Sequence, residues 1–218
     1  MDYMILMTRV DNAEILSSIL FPIESKPYGF SYGQWIAKWW QWLLSIPLST
    51  NPAFDETGVY ANINQSDRNV LFLCQTFSDG RAATGLSWTR KICLKKGSSL
   101  LLPFINWISV LQVDGNTIEE IEFIARKKMD AISALEIKID DVTFKTGLEQ
   151  YRAKSPLFAA VLPNNNILGL SGGLKYFISD GYWMFLKKTE KDSTISTFGS
   201  CSSGQNRFAI NYRLKVSD

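Results

Sequence analysis

The feature that most constrains the fold is a short segment in which tryptophan recurs at helical spacing. Trp35, Trp39 and Trp42 fall in one row when residues are placed about 100° apart, as they are in an α-helix. Ser31 and Gln34 have the spacing of a capping box, in which each side chain accepts a hydrogen bond from a free backbone N–H of the other residue. The segment therefore predicts a helix that begins directly after Ser31.

The predicted helix is apolar around most of its circumference and ends at Pro47, which cannot continue it. The apolar arc reaches roughly 200° once the neighbouring residues join the row: Ile36, Trp40, Leu43 and Leu44. The polar side is narrow and consists of Gln34, Lys38, Gln41 and Ser45. We expect a core helix that holds the sheets of the protein together.

A second helix is predicted from Ile118 to Ile132. Thr117 and Glu120 repeat the capping-box spacing at its start. Its apolar stripe has an ordinary width, so this helix should pack against the core with one face only. Phe123 falls outside the stripe and is a candidate for contact with another protein.

Strand patterns dominate the remaining sequence. Val70 to Thr76 is a nearly continuous apolar run, which is typical of a central strand. Apolar and polar residues alternate from Leu86 to Leu94 and again from Leu135 to Ile139. Ser179-Asp180-Gly181 lies between two further apolar runs and predicts a tight hairpin.

The cleanest alternation lies at the end of the chain, from Arg207 to Val216. It predicts a strand with one face in the core and the other, which includes Arg213, in water. A polar-faced terminal strand is available for pairing with a partner, so Arg213 is an interface candidate.

These elements together predict a mainly β fold. We expect an antiparallel, jelly-roll-like β-sandwich with one buried Trp-rich helix and a second amphipathic helix. A chain of 218 residues suits one domain of this kind, spanning residues 1–218.

Composition excludes several classes of function. The chain contains no histidine, which excludes Ser-His-Asp and Cys-His catalysis, His-ligated zinc and the metal sites of cupins. The formal net charge is only +2 and the basic residues are scattered, which argues against nucleic-acid binding. No apolar run has the ~20 residues of a membrane span, and no glycine motif of a nucleotide site is present. We predict neither a metal nor a cofactor.

Carboxylates are the remaining catalytic candidates, and each pair has a structural interpretation. Asp55 and Glu56 fall in a turn, and Asp140 and Asp141 fall at the end of a strand. The acids near Ile118 suit the N-terminus of a helix, where they complement its dipole. We interpret these acids as structural.

The cysteines and the N-terminus indicate the compartment. Cys74, Cys93 and Cys201 are odd in number and lack CxxC spacing, so they predict no disulfide framework. We expect Cys74 and Cys93 to be buried thiols and Cys201, in a Gly/Ser segment, to be exposed. The N-terminus lacks the basic stretch of a signal peptide, which predicts a cytoplasmic protein.

Three tryptophans outside the first helix are candidates for ligand contact. Trp88, Trp107 and Trp183 lie in strand-like segments, where they could line either the core or a groove. Aromatic faces stack on sugar rings and anchor protein interfaces. We select Trp183 for a surface contact, with its neighbour Tyr182 and with Trp88 as further ligand-binding candidates.

Two segments carry a resemblance to a known family. Ser31-Tyr32-Gly33-Gln34-Trp35 through Pro47, followed by Asn51-Pro52, Asp55 and Thr57-Gly58, resembles the opening of a family of uncharacterised microbial proteins. The run from Gly181 to Leu186 is also similar to that family. The resemblance implies no activity and no catalytic residue. Its members often bear export signals, so it implies an extracellular location, contrary to the N-terminus as written.

Three functions are compatible with the sequence. The first is a non-enzymatic β-sandwich that binds a protein partner or assembles with itself. The second is a carbohydrate-binding module that uses the strand aromatics. The third is a carboxylate-dependent glycoside hydrolase, which requires two acids roughly 5–10 Å apart in a cleft.

Overall fold

A computed structural model describes residues 14–76, 88–201 and 207–218. The N-terminal stretch that bears on location, Leu86, and the Gly/Ser segment after Cys201 lie outside these residues. Two long helices are present: α1, Tyr32–Ser45, and α2, Ile118–Asp130. Helical turns also cover residues 14–19. The strands are β1 (Val70–Phe72), β2 (Trp88–Lys95), β3 (Ser98–Val110), β4 (Ile132–Ile139), β5 (Val142–Phe144), β6 (Arg152–Lys154), β7 (Phe158–Leu162), β8 (Gly173–Thr189), β9 (Ser193–Cys201) and β10 (Arg207–Ser217).

The strands form two sheets in a sandwich-like arrangement, which confirms the mainly β prediction. Sheet A has the order β1, β3, β8, β6, and β7 also pairs with β8. Sheet B has the order β2, β10, β9, β4, β5. Both sheets are mixed, because β1 pairs with β3 and β2 pairs with β10 in parallel. Alternation along a strand looks the same in either direction, so the sequence does not reveal the parallel pairs.

Sheet A is covered on both faces. Leu101, Trp183 and Phe185 face α1, while Leu100 and Leu102 belong to the core shared with sheet B. The tryptophan helix therefore lies on the outer side of sheet A, and the expectation that it holds the two sheets together is wrong. Apolar side chains of the strands themselves make that contact: Phe104, Met184, Ile92, Ile137, Ile195, Ile210 and Leu214.

The tryptophan helix itself has the predicted bounds. Ser31 Oγ accepts a hydrogen bond from the Gln34 backbone N–H, and Gln34 Oε1 accepts one from the Ser31 N–H at 2.9 Å. The helix ends at Ser45, two residues before Pro47. Each of its four indole N–H groups donates to a different segment, at 2.7–2.8 Å; the acceptors are Pro27 O, Leu73 O, Ser179 Oγ and Ile63 O. The helix is thus both packed and hydrogen-bonded into the core.

Helix α2 is also confirmed, and it covers part of the opposite face of sheet A. Its capping box joins Thr117 and Glu120, and the helix ends at Asp130, two residues before the predicted end, because Ile132 already belongs to β4. Its buried residues are Ile121, Ala125 and Met129. None of the helices within the described ranges is long and apolar enough to cross a membrane.

The hairpin predicted at Ser179-Asp180-Gly181 is wrong. These residues lie inside β8, a continuous strand of 17 residues. A Cβ atom on Gly181 would lie 2.6 Å from Asn106 Cβ, so glycine is needed there for the close approach of β3 and not for a turn. Asp180 is buried and forms an ion pair with Arg152, with 2.7 Å between Oδ2 and Nη2.

Two strands have different neighbours from those expected. β10 lies between β2 and β9 inside sheet B, so it is not an edge available for pairing. β1 lies at the end of the order of sheet A, although its residues are apolar throughout. That run is continuous because Phe72 faces α1 and Leu71 packs against the other core, which leaves no face of β1 in water.

The three cysteines are free thiols. Cys74 is buried as predicted, whereas Cys93 is exposed because it lies on the solvent face of β2. Cys201 is only half-exposed.

Candidate functional sites

Trp183 does not make the predicted surface contact. Its side chain is 0% exposed, and its ring packs edge-on against Trp39 with 5.1 Å between ring centroids. Its indole N–H has no hydrogen-bond partner within the described part of the chain. The expectation is wrong because it relied on the hairpin, which would have placed Trp183 next to a turn.

Tyr182 and Trp88 are half-buried and do not form a platform with Trp183. Tyr182 points to the opposite face of β8, where its ring centroid lies 5.8 Å from the guanidinium carbon of Arg152. Trp88 lies on sheet B, and the guanidinium carbon of Arg90 lies 5.8 Å from its ring centroid. The three ligand-binding candidates are therefore not brought together.

The third strand tryptophan, Trp107, lines a cleft of about 490 Å³. Its side chain is 37% exposed, and Lys128 Nζ lies 4.6 Å from its ring centroid. The apolar walls come from α1, from β3 and from the loop between β7 and β8; they include Trp39, Trp40, Leu43, Ile108, Leu168 and Leu170. Buried Asn166 shapes this loop, because its side-chain amide bonds the backbone of Pro163, Leu168 and Leu170.

The cleft also presents a few polar groups. The Nδ2 atom of Asn106 is buried and has no hydrogen-bond partner among the described residues. Asp114 is the single carboxylate among the described lining residues, and its Oδ2 already accepts from the Val110 N–H at 2.7 Å. An aromatic ring and an ammonium group at the wall of the cleft suit ligand binding. One carboxylate does not suit a glycosidase, which needs two.

The acids that the fold does bring together serve a structural purpose. Arg152 binds Asp130 and Asp180 at 2.7 Å each and so joins α2 to sheet A. Hydrogen bonding to Asp180 raises the pKa of Arg152 above its usual range, so this cation stays charged. Within the described residues, no group of three or more His, Cys, Asp or Glu side chains could hold a metal ion.

A second polar centre is formed around Arg90, which is only 1% exposed. Its guanidinium donates to Asp55 O at 2.7 Å, to Ala53 O at 3.4 Å and to Cys74 O. Tyr212 Oη lies 3.3 Å from Arg90 Nη1. Burial raises the pKa of both the Cys74 thiol and the Tyr212 hydroxyl, so neither is a nucleophile at neutral pH.

The segment from Asn51 to Gly58 supplies two of the three backbone carbonyls that Arg90 binds, those of Ala53 and Asp55. Asn51 Nδ2 donates to Leu43 O at 2.9 Å and to Ile46 O at 3.0 Å, and so binds the carbonyl groups at the end of α1. Burial of Asp55 alone would raise its pKa, but hydrogen bonds from the Tyr60 and Thr57 N–H groups lower it below its usual range. This centre is structural, because the space beside it is only about 10 Å³.

The two interface candidates are both exposed. Phe123 is 52% exposed on α2, with the Arg126 guanidinium carbon 5.5 Å from its ring centroid. Arg213 lies on the solvent face of β10, directly opposite Lys91 of β2. They lie on different elements, and no described contact joins them.

The most exposed apolar side chains of the described strands lie elsewhere, on β7 and β8. Val161 is 65% exposed and pairs with Leu174, which is 58% exposed. Tyr176, 44% exposed, follows on the same face and pairs with Ala159. We call Ala159, Val161, Leu174 and Tyr176 the apolar strip. Sequence reasoning missed the strip because β7 is apolar throughout, so no alternation distinguishes its exposed side.

Comparison with known proteins does not identify a family. No protein-family model and no curated protein matches the chain. One similar solved structure is PbICP-C in complex with falcipain-2, at 11% identity and a TM-score of 0.29, covering 67% of this chain and 98% of that chain. Another is the solution structure of amebosin, at 8% identity and a TM-score of 0.25, covering 69% and 100%. TM-scores this low support no inference about fold or function.

Proposed function

We propose that the protein is a non-catalytic β-sandwich that associates with a second copy of itself through the apolar strip. The observation that carries this proposal is the side-by-side exposure of Val161, Leu174 and Tyr176 on paired strands. Side chains opposite one another on neighbouring strands lie about 5 Å apart, so these residues form one surface. Contiguous exposed apolar surface is characteristic of sites that another protein covers.

A second copy is the simplest partner for this surface. In a twofold dimer the same patch meets itself, so the patch must be complementary to its own chemistry. An apolar strip meets that condition, because each copy can bury its valine and leucine against those of the other. The large apolar side chains would then leave water, at roughly 25 cal/mol per Å² of buried area.

The first prediction concerns Val161→Asp. A buried valine contributes about 1.5–3 kcal/mol, so we expect this change to weaken the dimer at least tenfold. Light scattering across a range of concentrations measures the effect. Val113→Asp is the matched control, because Val113 is 54% exposed and lies outside the strip. A wild-type protein that stays monomeric at every concentration would refute self-association.

A second function is favoured by a separate observation, the exposure of the Trp107 ring in the cleft. We propose that the cleft binds a short carbohydrate, whose apolar ring face would stack on Trp107 while its hydroxyl groups accept from Lys128 Nζ. Trp107 replaces Trp183, Tyr182 and Trp88 as the aromatic group in this hypothesis.

The second prediction tests the cleft. A glycan array identifies a binding sugar, and titration of tryptophan fluorescence with that sugar measures its affinity. We expect Trp107→Ala to weaken binding at least fivefold, since an aromatic contact contributes about one kcal/mol or more. Trp88→Ala is the control, because Trp88 is half-buried outside the cleft. An array without a response would eliminate the hypothesis.

A further inference from the structure

The solvent face of sheet B gathers basic residues that are scattered in the sequence. Arg213 of β10 lies directly opposite Lys91 of β2. Lys215 is the next residue after Arg213 on this face, and Lys95 lies beyond Cys93 on the same face of β2 as Lys91. Lys138 of β4 lies on this face as well, level with Asn211, which is two residues before Arg213 on β10. We call these five exposed cations the basic face.

The basic face is not neutralised from within the protein. None of its five cations forms an ion pair with an acid in the described part of the chain. Glu136 lies on the same face, but it binds Lys145 at 3.0 Å. Asp192 directly precedes β9, and its Oδ1 accepts from the N–H of Val216, near the end of β10, at 2.7 Å. Both of these acids are therefore already engaged within the protein.

This arrangement costs stability in the isolated protein. Lys91 and Arg213 lie directly opposite one another in the parallel pair of β2 and β10, so their like charges repel each other. The cost disappears when an anion lies between the two side chains. The geometry therefore points to an anionic partner.

We infer that the basic face binds an acidic protein segment in an extended conformation. Alternate side chains of an extended chain lie about 7 Å apart, which is also the separation of Arg213 from Lys215 along β10. Single-stranded nucleic acid requires exposed aromatic rings on which its bases stack. The aromatic residue described on this face is Phe198, which is only half-exposed. This inference does not rest on the apolar strip, which lies on sheet A.

The third prediction uses a labelled oligoglutamate peptide at low salt, measured by fluorescence anisotropy. We expect the peptide to bind and its affinity to fall as salt screens the charges. Reversal of Lys91 and Arg213 together, as Lys91→Glu with Arg213→Glu, should weaken binding at least tenfold. Arg126→Glu with Lys127→Glu is the matched control, because it makes the same change in net charge on the exposed side of α2.

Three results would overturn the inference: no peptide binding at low salt, equal weakening by the two double variants, or an oligothymidylate of equal charge that binds as tightly as the peptide. Lys91→Glu alone provides a check on folding. It places opposite charges across the strands, so it should raise the melting temperature by roughly 1–4 °C while it weakens peptide binding.

Discussion

Replacing Arg90 with alanine is expected to lower the free energy of unfolding by about 3–5 kcal/mol. The change removes a fully buried side chain and leaves the carbonyl groups of Ala53 and Asp55 without the donors that satisfy them. Each orphaned buried acceptor costs about 1–3 kcal/mol, and the cavity adds to that cost. Urea denaturation followed by tryptophan fluorescence measures the effect.

The control for this prediction is Arg213→Ala, which makes the same chemical change on the strand beside β2. Arg213 is exposed, so we expect a change smaller than about 0.5 kcal/mol. Arg90→Lys keeps the charge but lacks the planar guanidinium with its several donors. Its loss of stability should therefore lie between the losses for Arg213→Ala and Arg90→Ala. Equal stability of Arg90→Ala and the wild type would contradict the role assigned to Arg90.

Replacing Trp39 with alanine should lower the free energy of unfolding by a similar amount, about 3–5 kcal/mol. Trp39 is 2% exposed and donates to Leu73 O at 2.8 Å. Its ring also contacts Trp40 and Trp183, with centroids 4.9 and 5.1 Å away. The substitution therefore empties the centre of the layer between α1 and sheet A.

Two variants separate the contributions of Trp39. Trp39→Phe keeps most of the aromatic volume but removes the donor to Leu73 O. We therefore expect it to be less stable than the wild type and more stable than Trp39→Ala. Trp107→Ala is the comparison variant, because Trp107 is partly exposed. We expect it to lose less than half of the stability that Trp39→Ala loses. Thermal melting followed by circular dichroism ranks the stabilities of the variants. A larger loss of stability for Trp107→Ala than for Trp39→Ala would contradict the position of Trp39 at the centre of the layer between α1 and sheet A.

The three proposed contacts use separate parts of the molecule. The apolar strip lies on β7 and β8, the basic face lies on sheet B, and the cleft lies beside β3 and α1. Each has its own variant and its own measurement. A failure of one proposal therefore leaves the other two to be judged by their own experiments.

Much of the local structure was predictable because its causes lie within a few residues along the chain. Ser31 and Gln34 cap α1 through their own backbone groups, and Thr117 and Glu120 do the same for α2. The alternation from Ile210 to Leu214 distinguishes core from solvent for the same reason, since successive side chains of a strand point to opposite faces.

The candidate sites were less predictable, because exposure depends on what a distant segment covers. Trp183 and Trp107 have similar sequence surroundings, yet α1 buries one and the other lines the cleft. Gly181 has the sequence of a turn, and only the approach of Asn106 on another strand shows why a glycine is required. Lys91 and Arg213 are more than a hundred residues apart, and they lie opposite one another only because β2 and β10 pair.

The sequence by itself thus determined the tryptophan helix, its caps and its end, because spacing and capping are local chemistry. Only the tertiary structure decided where that helix lies, on the outer face of sheet A, and which residues remain on the surface. The physical reason is that burial and charge clustering follow from strand pairing between remote segments, and residue patterns along one strand carry no record of its neighbours.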